Sequence, residues 1–164
     1  VRHGELRSAR WSDIDLEAAE WRFTVSKTGT QHVVPLASQA VVILRDLHAL
    51  TGRSEFVFPS ARGGGRCMSQ VACLSAMRNM ELPAELVTNH GWRATARTLL
   101  DEALHFPPHL IEHQLAHKVP DALGEAYNRT RFIKDRRVMM QAWADYLDKL
   151  KSGAEIIPLH SSVA

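Results

Sequence analysis

Apolar positions along this chain change their period several times, and each change predicts an element. Trp21, Phe23 and Val25 alternate with Arg22 and Thr24, the two-residue period of a half-buried strand. Ser26-Lys27-Thr28-Gly29-Thr30 then supplies turn residues, and His32-Val33-Val34-Pro35 resumes the strand, so the stretch predicts a β-hairpin with Lys27 at its tip. Phe56-Val57-Phe58-Pro59 predicts a third short strand on that hairpin. Elsewhere the apolar residues recur every three to four positions, the spacing of one helix face. Residues 1–10 read as helical after Gly4, with Arg2 and Glu5 on one face and Ser12-Asp13 as the stop. Ser38 is placed to cap a helix over 39–50 with Val42, Ile43, Leu47 and Leu50 inward. Residues 60–66, with three consecutive glycines, read as a loop. Ser69 is placed to cap a helix to about residue 80, with Val71, Leu74, Met77 and Met80 inward, and 81–89 as a connector.

The C-terminal half reads as helices only. Over 90–103 the pattern turns Trp92, Ala96, Leu99, Leu100 and Ala103 inward and leaves Arg93 and Arg97 near the opposite side. Pro107-Pro108 breaks that helix and starts another over 109–117, with Leu110, Ile111 and Leu115 inward. Val119-Pro120 breaks the chain again, and Asp121 is placed to cap 122–129. A last amphipathic helix over 134–151 carries Val138, Met139, Ala142, Trp143, Tyr146 and Leu150. The fold class predicted is mainly α with a small antiparallel three-stranded sheet (α+β). One domain spans 1–151, and 152–164 form a C-terminal tail.

Composition narrows the classes. The chain has 164 residues, 45% hydrophobic and 23% charged, which suits a folded domain with a real core rather than a disordered one. It holds no apolar run of the ~18 residues a membrane helix needs, and no leader pattern at its start, so a cytoplasmic protein with no membrane association is expected. Cys67 and Cys73, six apart, match no zinc or redox spacing and read as small core residues. A formal net charge of +2 does not announce a nucleic-acid partner, but its distribution is uneven. Arg2, Arg7 and Arg10 crowd one end, and Arg129, Arg131, Lys134, Arg136 and Arg137 crowd another stretch. Such runs are often no more than solvated helix faces. Because the chain opens on Val1 with Arg2 beside it, a piece of a longer protein is expected.

Chemistry gathers between His90 and Tyr127. An imidazole and a guanidinium stand three residues apart at His90 and Arg93, a second imidazole follows at His117, and a phenol at Tyr127. Arg93 can give two parallel N–H donors to two oxygens of one phosphate, which a lysine cannot. Tyr127 is a candidate covalent nucleophile, whereas Tyr146, in an apolar stripe, reads as packing.

Collected in order, Arg2, Lys27, His90, Arg93, His117 and Tyr127 resemble the catalytic set of the tyrosine recombinase, or phage integrase, family. The matching stretches are Arg2-His3-Gly4-Glu5-Leu6, Ser26-Lys27-Thr28-Gly29, His90-Gly91-Trp92-Arg93, Leu115-Ala116-His117 and Ala126-Tyr127-Asn128. The wording from His90 through His117 resembles prophage and genomic-island integrases that insert at tRNA genes. Each motif alone is weak, and their joint order over residues 1–148 is specific. The resemblance implies the catalytic domain of the family, here without the helix that precedes its first arginine and without its separate DNA-binding domains. It implies that Arg2 and Arg93 clamp a DNA phosphate, His117 donates a further hydrogen bond, and Tyr127 attacks phosphorus to form a 3′-phosphotyrosyl link. His90 is then the proton acceptor for the phenol, Lys27 the donor to the leaving 5′-oxygen, and Glu5 an orienting carboxylate. Arg129 and Arg131 would contact DNA. No cofactor or metal is implied, the partner is double-stranded DNA, and the full-length family protein acts as a tetramer while this fragment is expected to be monomeric.

Three alternatives stay open in the sequence. His109, His113 and His117 recur at i, i+4 and i+8 and suggest a zinc site, although about 12 Å of axial rise separates the outer two. A type IB topoisomerase would use the same residue set, which the wording of residues 90–117 argues against. A fragment that binds DNA without cutting it would also fit.

Overall fold

A computed structural model of the chain describes residues 1–85, 87–117 and 132–153. The helix expected over 122–129 with its Asp121 cap, Tyr127, Arg129 and Arg131, and residues 154–164 of the expected tail lie outside the described residues.

The hairpin forms where the two-residue period places it. β2 (Glu20–Thr24) and β3 (Gln31–Pro35) pair antiparallel, with Trp21 opposite Val34 and Phe23 opposite His32. Gly29 takes φ 70° in the connecting turn, a conformation that costs glycine nothing and other residues more. Alternation puts Trp21, Val34 and His32 on the covered face, and Phe23 meets the His32 ring edge-on at 5.7 Å. The third strand is not the one expected. β1 (Ile14–Asp15) pairs with β2 in the order β1-β2-β3, whereas Phe56 pairs with Arg10 and Pro59 with Cys67 as isolated bridges. Trp11 N–H donates to the Glu55 carbonyl and Val57 N–H to that of Ala9, so the 56–59 segment satisfies its backbone against the N-terminal strap instead of the sheet edge.

The first helix, α1 (His3–Arg7), is shorter than the pattern suggests, and Ser12-Asp13 lie inside a 3-10 turn (Trp11–Asp13) rather than ending a helix. In α2 (Ser38–Thr51) the capping position is Ala37, not Ser38. Val41, Leu44 and Leu47 face inward, while Val42, Ile43 and Leu50 are exposed. One residue of helix turns the face by about 100°, so reading the β-branched pair as the core stripe rotated the helix. The same slip applies to α3 (Ala72–Asn79), capped at Val71 rather than Ser69, where Met77 is buried and Val71 and Met80 are exposed. Cys67 and Cys73 are half-buried, and Arg7 Nη1 donates to Cys67 Sγ.

Two apolar clusters hold the fold. Ala9, Trp21, Val34 and Val57 centre the first, under the sheet and α2. Leu100, Leu110, Ile111, Leu115 and Met139 centre the second, where α4 (Gly91–Glu102), α5 (Pro108–Gln114) and α6 (Ile133–Lys151) meet. Burying each valine, leucine, isoleucine or methionine among them contributes about 1.5–3 kcal/mol. α5 buries Leu110 and Ile111 as expected but ends at Gln114, three residues before His117. In α6, Met139 is buried, Trp143 packs against the second cluster and stacks on Tyr146, and Val138 is exposed. The seam between the clusters is polar. Arg136, read from sequence as part of a basic surface run, is 1% exposed. Its Nε donates to Gln114 Oε1 (2.9 Å) and its Nη2 to the Val33 carbonyl (2.6 Å), and His32 Nε2 lies 3.5 Å from Nη2. Next to it, Arg137 donates to Glu20 and to the Ala18 carbonyl, which ties α6 to the sheet.

Candidate functional site

Arg2 and Arg93 come from opposite ends of the first ninety-odd residues and line the same hollow, of about 520 Å³, together with Gln114, Leu115, Trp92 and Trp143. Arg2 stands at the start of α1, where the backbone turns from extended to helical. Its N–H and its Nη1 both donate to Glu5, at 2.6 and 3.2 Å, and Glu5 is 6% exposed. A carboxylate three residues into a helix that takes both the first N–H and the side chain of the residue before it pins that side chain in place.

Arg93 sits in the first turn of α4. The expected orientation is reversed here: Trp92 is the exposed residue, and Arg93 turns inward. Its Nη2 donates to the Leu115 carbonyl at the end of α5, and its Nη1 is buried with no hydrogen-bond partner among the described residues. Burial first, and then the Arg2 charge, pull the Arg93 guanidinium below its ordinary pKa, opposed by Glu5 and Glu112. It remains cationic, since a guanidinium does not give up its proton in a protein. A guanidinium weakened by burial and by a second one beside it, with a buried donor unsatisfied among the described residues, marks a site short of negative charge.

His90 is the residue just before α4, exposed, with its carbonyl accepting the Arg93 and Ala94 N–H groups. His117 lies past the end of α5. Ala116 takes φ 51°, and the His117 N–H then reaches back 3.0 Å to the Glu112 carbonyl, the backbone pattern that closes a helix C-terminus. Its Nδ1 is hydrogen-bonded to Glu112 Oε2. Lys27 is exposed on the hairpin turn, and the flanking Thr24, Ser26 and Gln31 line a neighbouring hollow with Glu5 and His32. Lys27, His90 and His117 are not among the residues lining the Arg2–Arg93 hollow.

The zinc alternative loses its helix. His117 is beyond α5 and paired with Glu112, while His109 and His113 both stand edge-on to Phe132, and no group of three metal-ligating side chains gathers among the described residues. No helix among the described residues is long and apolar enough to cross a membrane.

Four residues around the site were not singled out by the sequence: Gln114, Arg136, His32 and Glu112. Their signals were partial. His32 lies two residues from Val34 on the strand, and Arg136 lies three before Met139 and seven before Trp143, so each falls on the inward side by period alone. His32 is held neutral: burial, then the Arg136 charge, lower its pKa to about 4. Glu112 gave no such signal.

The profile of the family described as "Phage integrase family" matches residues 1–133. Prophage integrase IntA of Escherichia coli K12 is 37% identical over 159 residues, covering 96% of this chain, and prophage integrase IntZ of the same strain is 41% identical, covering 93%. The integrase of Enterobacteria phage P4 is 35% identical, covering 90%. The chain spans 38%, 38% and 37% of those three relatives' own lengths. No solved structure gave a significant match.

Proposed function

The chain belongs to the phage integrase family, and from that premise we propose that it is the catalytic domain of a tyrosine site-specific recombinase, integrating or excising a mobile element by cutting and rejoining DNA through a 3′-phosphotyrosyl intermediate. The observation that carries the reading is the shared hollow of Arg2 and Arg93, with Glu5 pinning one guanidinium and the other keeping a buried donor without a partner among the described residues.

In this mechanism the Tyr127 oxygen attacks phosphorus, the bond from phosphorus to the 5′-oxygen breaks, and the phenol proton passes to His90. Lys27, on the hairpin turn, protonates the leaving 5′-oxygen. Negative charge grows on the non-bridging oxygens as phosphorus becomes five-coordinate, and fixed guanidiniums favour that state over the ground state. Each such donor contributes about 3–4 kcal/mol, by analogy with the removal of one oxyanion-hole donor. His117 adds a hydrogen bond from the α5 side. One phosphoester replaces another, so the 5′-hydroxyl of a second strand reverses the step and reseals DNA without ATP. In this reading Arg2 acts from the start of α1, Lys27 from the hairpin turn, His90 and Arg93 from the start of α4, and His117 from beyond α5. Arg129 and Arg131 hold DNA phosphates. The full-length protein works as a tetramer on two DNA sites, and this chain alone is a monomer.

The test is a suicide duplex whose cut releases a short fragment, so that the reverse step cannot occur. The chain is expected to form a covalent protein–DNA adduct that is absent in Tyr127→Phe. An adduct of equal yield in Tyr127→Phe, or none with the parent chain, contradicts the proposal.

A further inference from the structure

We infer that Glu112 is a positioning residue for His117, holding the imidazole by Nδ1 so that Nε2 is the nitrogen offered to the phosphate. The inference rests on the function proposed above and adds a residue to it.

Glu112 grips His117 twice: its carbonyl accepts the His117 N–H at 3.0 Å, and its Oε2 is hydrogen-bonded to Nδ1. The other carboxylate oxygen, Oε1, accepts from Arg97 Nε at 2.9 Å. Burial pushes the Glu112 pKa up, but the hydrogen bonds from His117 and Arg97 outweigh it and leave the carboxyl below its ordinary range. Glu112 is therefore an acceptor only, and Nδ1 must be the donor. A carboxylate bonded to one imidazole nitrogen fixes the tautomer and the ring plane and leaves the other nitrogen for chemistry. With its one proton on Nδ1 the DNA-free ring leaves Nε2 bare, and Nε2 donates to a phosphate oxygen once it takes a second proton from solvent as the anion enters.

The brace also sets spacing. Arg93 and Arg97 stand four apart on α4, one reaching the Leu115 carbonyl and the other Glu112. Both ends of the Leu115-Ala116-His117 turn are thus referenced to the helix that carries the phosphate clamp. The Glu112 charge also acts on Arg93 itself.

The experiment uses the chain with ¹⁵N-labelled histidines, without DNA, with His117 assigned from the signal lost in His117→Gln. The parent is expected to carry its proton on Nδ1, and Glu112→Ala to move it to Nε2, the site free imidazole prefers. Arg97→Ala removes the brace from an exposed position, so it reports on the same signal if Glu112→Ala folds poorly, and it is expected to weaken the Nδ1–H signature. An unchanged imidazole signature in both variants overturns the inference. In the suicide-duplex assay, Glu112→Ala is expected to lower the adduct-forming rate about ten- to a hundredfold at unchanged DNA affinity, with Glu112→Gln, a neutral acceptor of the same shape, recovering part. An equal rate in Glu112→Ala also counts against it. Failure of the parent chain to form adduct would bear on the proposed function, because the imidazole signature needs no DNA.

Discussion

Arg93 and Arg136 are both turned into the protein, yet their surroundings differ. Around Arg136 the donors find fixed acceptors, the Val33 carbonyl and the Gln114 amide, and the residue closes the seam between the sheet and α6. Around Arg93 one donor finds the Leu115 carbonyl, another has no partner among the described residues, and the Arg2 charge acts on it, in a hollow large enough for a ligand. A buried charge that strands no buried donor supports the fold, whereas one left short of partners beside a like charge is kept at a cost to stability that only a ligand repays. Gln114 joins the two regions: its side chain serves Arg136, its carbonyl His32, and it lines the Arg93 hollow.

Exchanging each arginine for alanine separates the two roles. Arg93→Ala is expected to slow adduct formation by about 10²–10³-fold, equivalent to about 3–4 kcal/mol, with a thermal midpoint close to the parent's. Arg136→Ala is expected to destabilise the chain by about 3 kcal/mol in denaturant titration, since it strands buried acceptors and opens a cavity. Equal losses of stability in the two variants would erase the distinction.

A smaller effect comes from His32, beside Arg136. Its folded pKa of about 4 lies below the unfolded value of about 6.5, so the unfolded chain takes up the proton first. Stability is therefore independent of this group above pH 6.5, falls as pH drops toward 4, and levels below that. The difference reaches about 2 kcal/mol at pH 5. Chemical denaturation at pH 7 and pH 5 should show that slope in the parent and not in His32→Gln.

These regions were not equally legible in the sequence. The hairpin was readable because Trp21, Phe23 and Val34 obey a strict two-residue period and Gly29 marks the turn. Helix faces were less so: Val42 and Ile43 are as apolar as Val41 and Leu44, and only contact with the sheet decides which pair is covered. The third strand was misplaced because Phe56 and Val57 are buried against the Ala9–Trp11 strap, a long-range pairing with no local signature. At the site, Arg2, Glu5 and Arg93 were found by motif, but the inward turn of Arg93 was hidden by the greater hydrophobicity of Trp92. Arg136 was read by charge alone, although its spacing from Met139 placed it on the covered stripe. Glu112 was invisible because its pairing with His117 depends on the left-handed Ala116, which no helix period describes.

The most direct measurement follows the arginine side-chain Nε–Hε signals of the chain while a short duplex is titrated in at low salt. Arg2 and Arg93 are expected to shift together as the phosphate enters their hollow, with Arg136 unmoved. Duplex binding that leaves the Arg93 signal where it was, or that shifts Arg136 instead, would contradict the account.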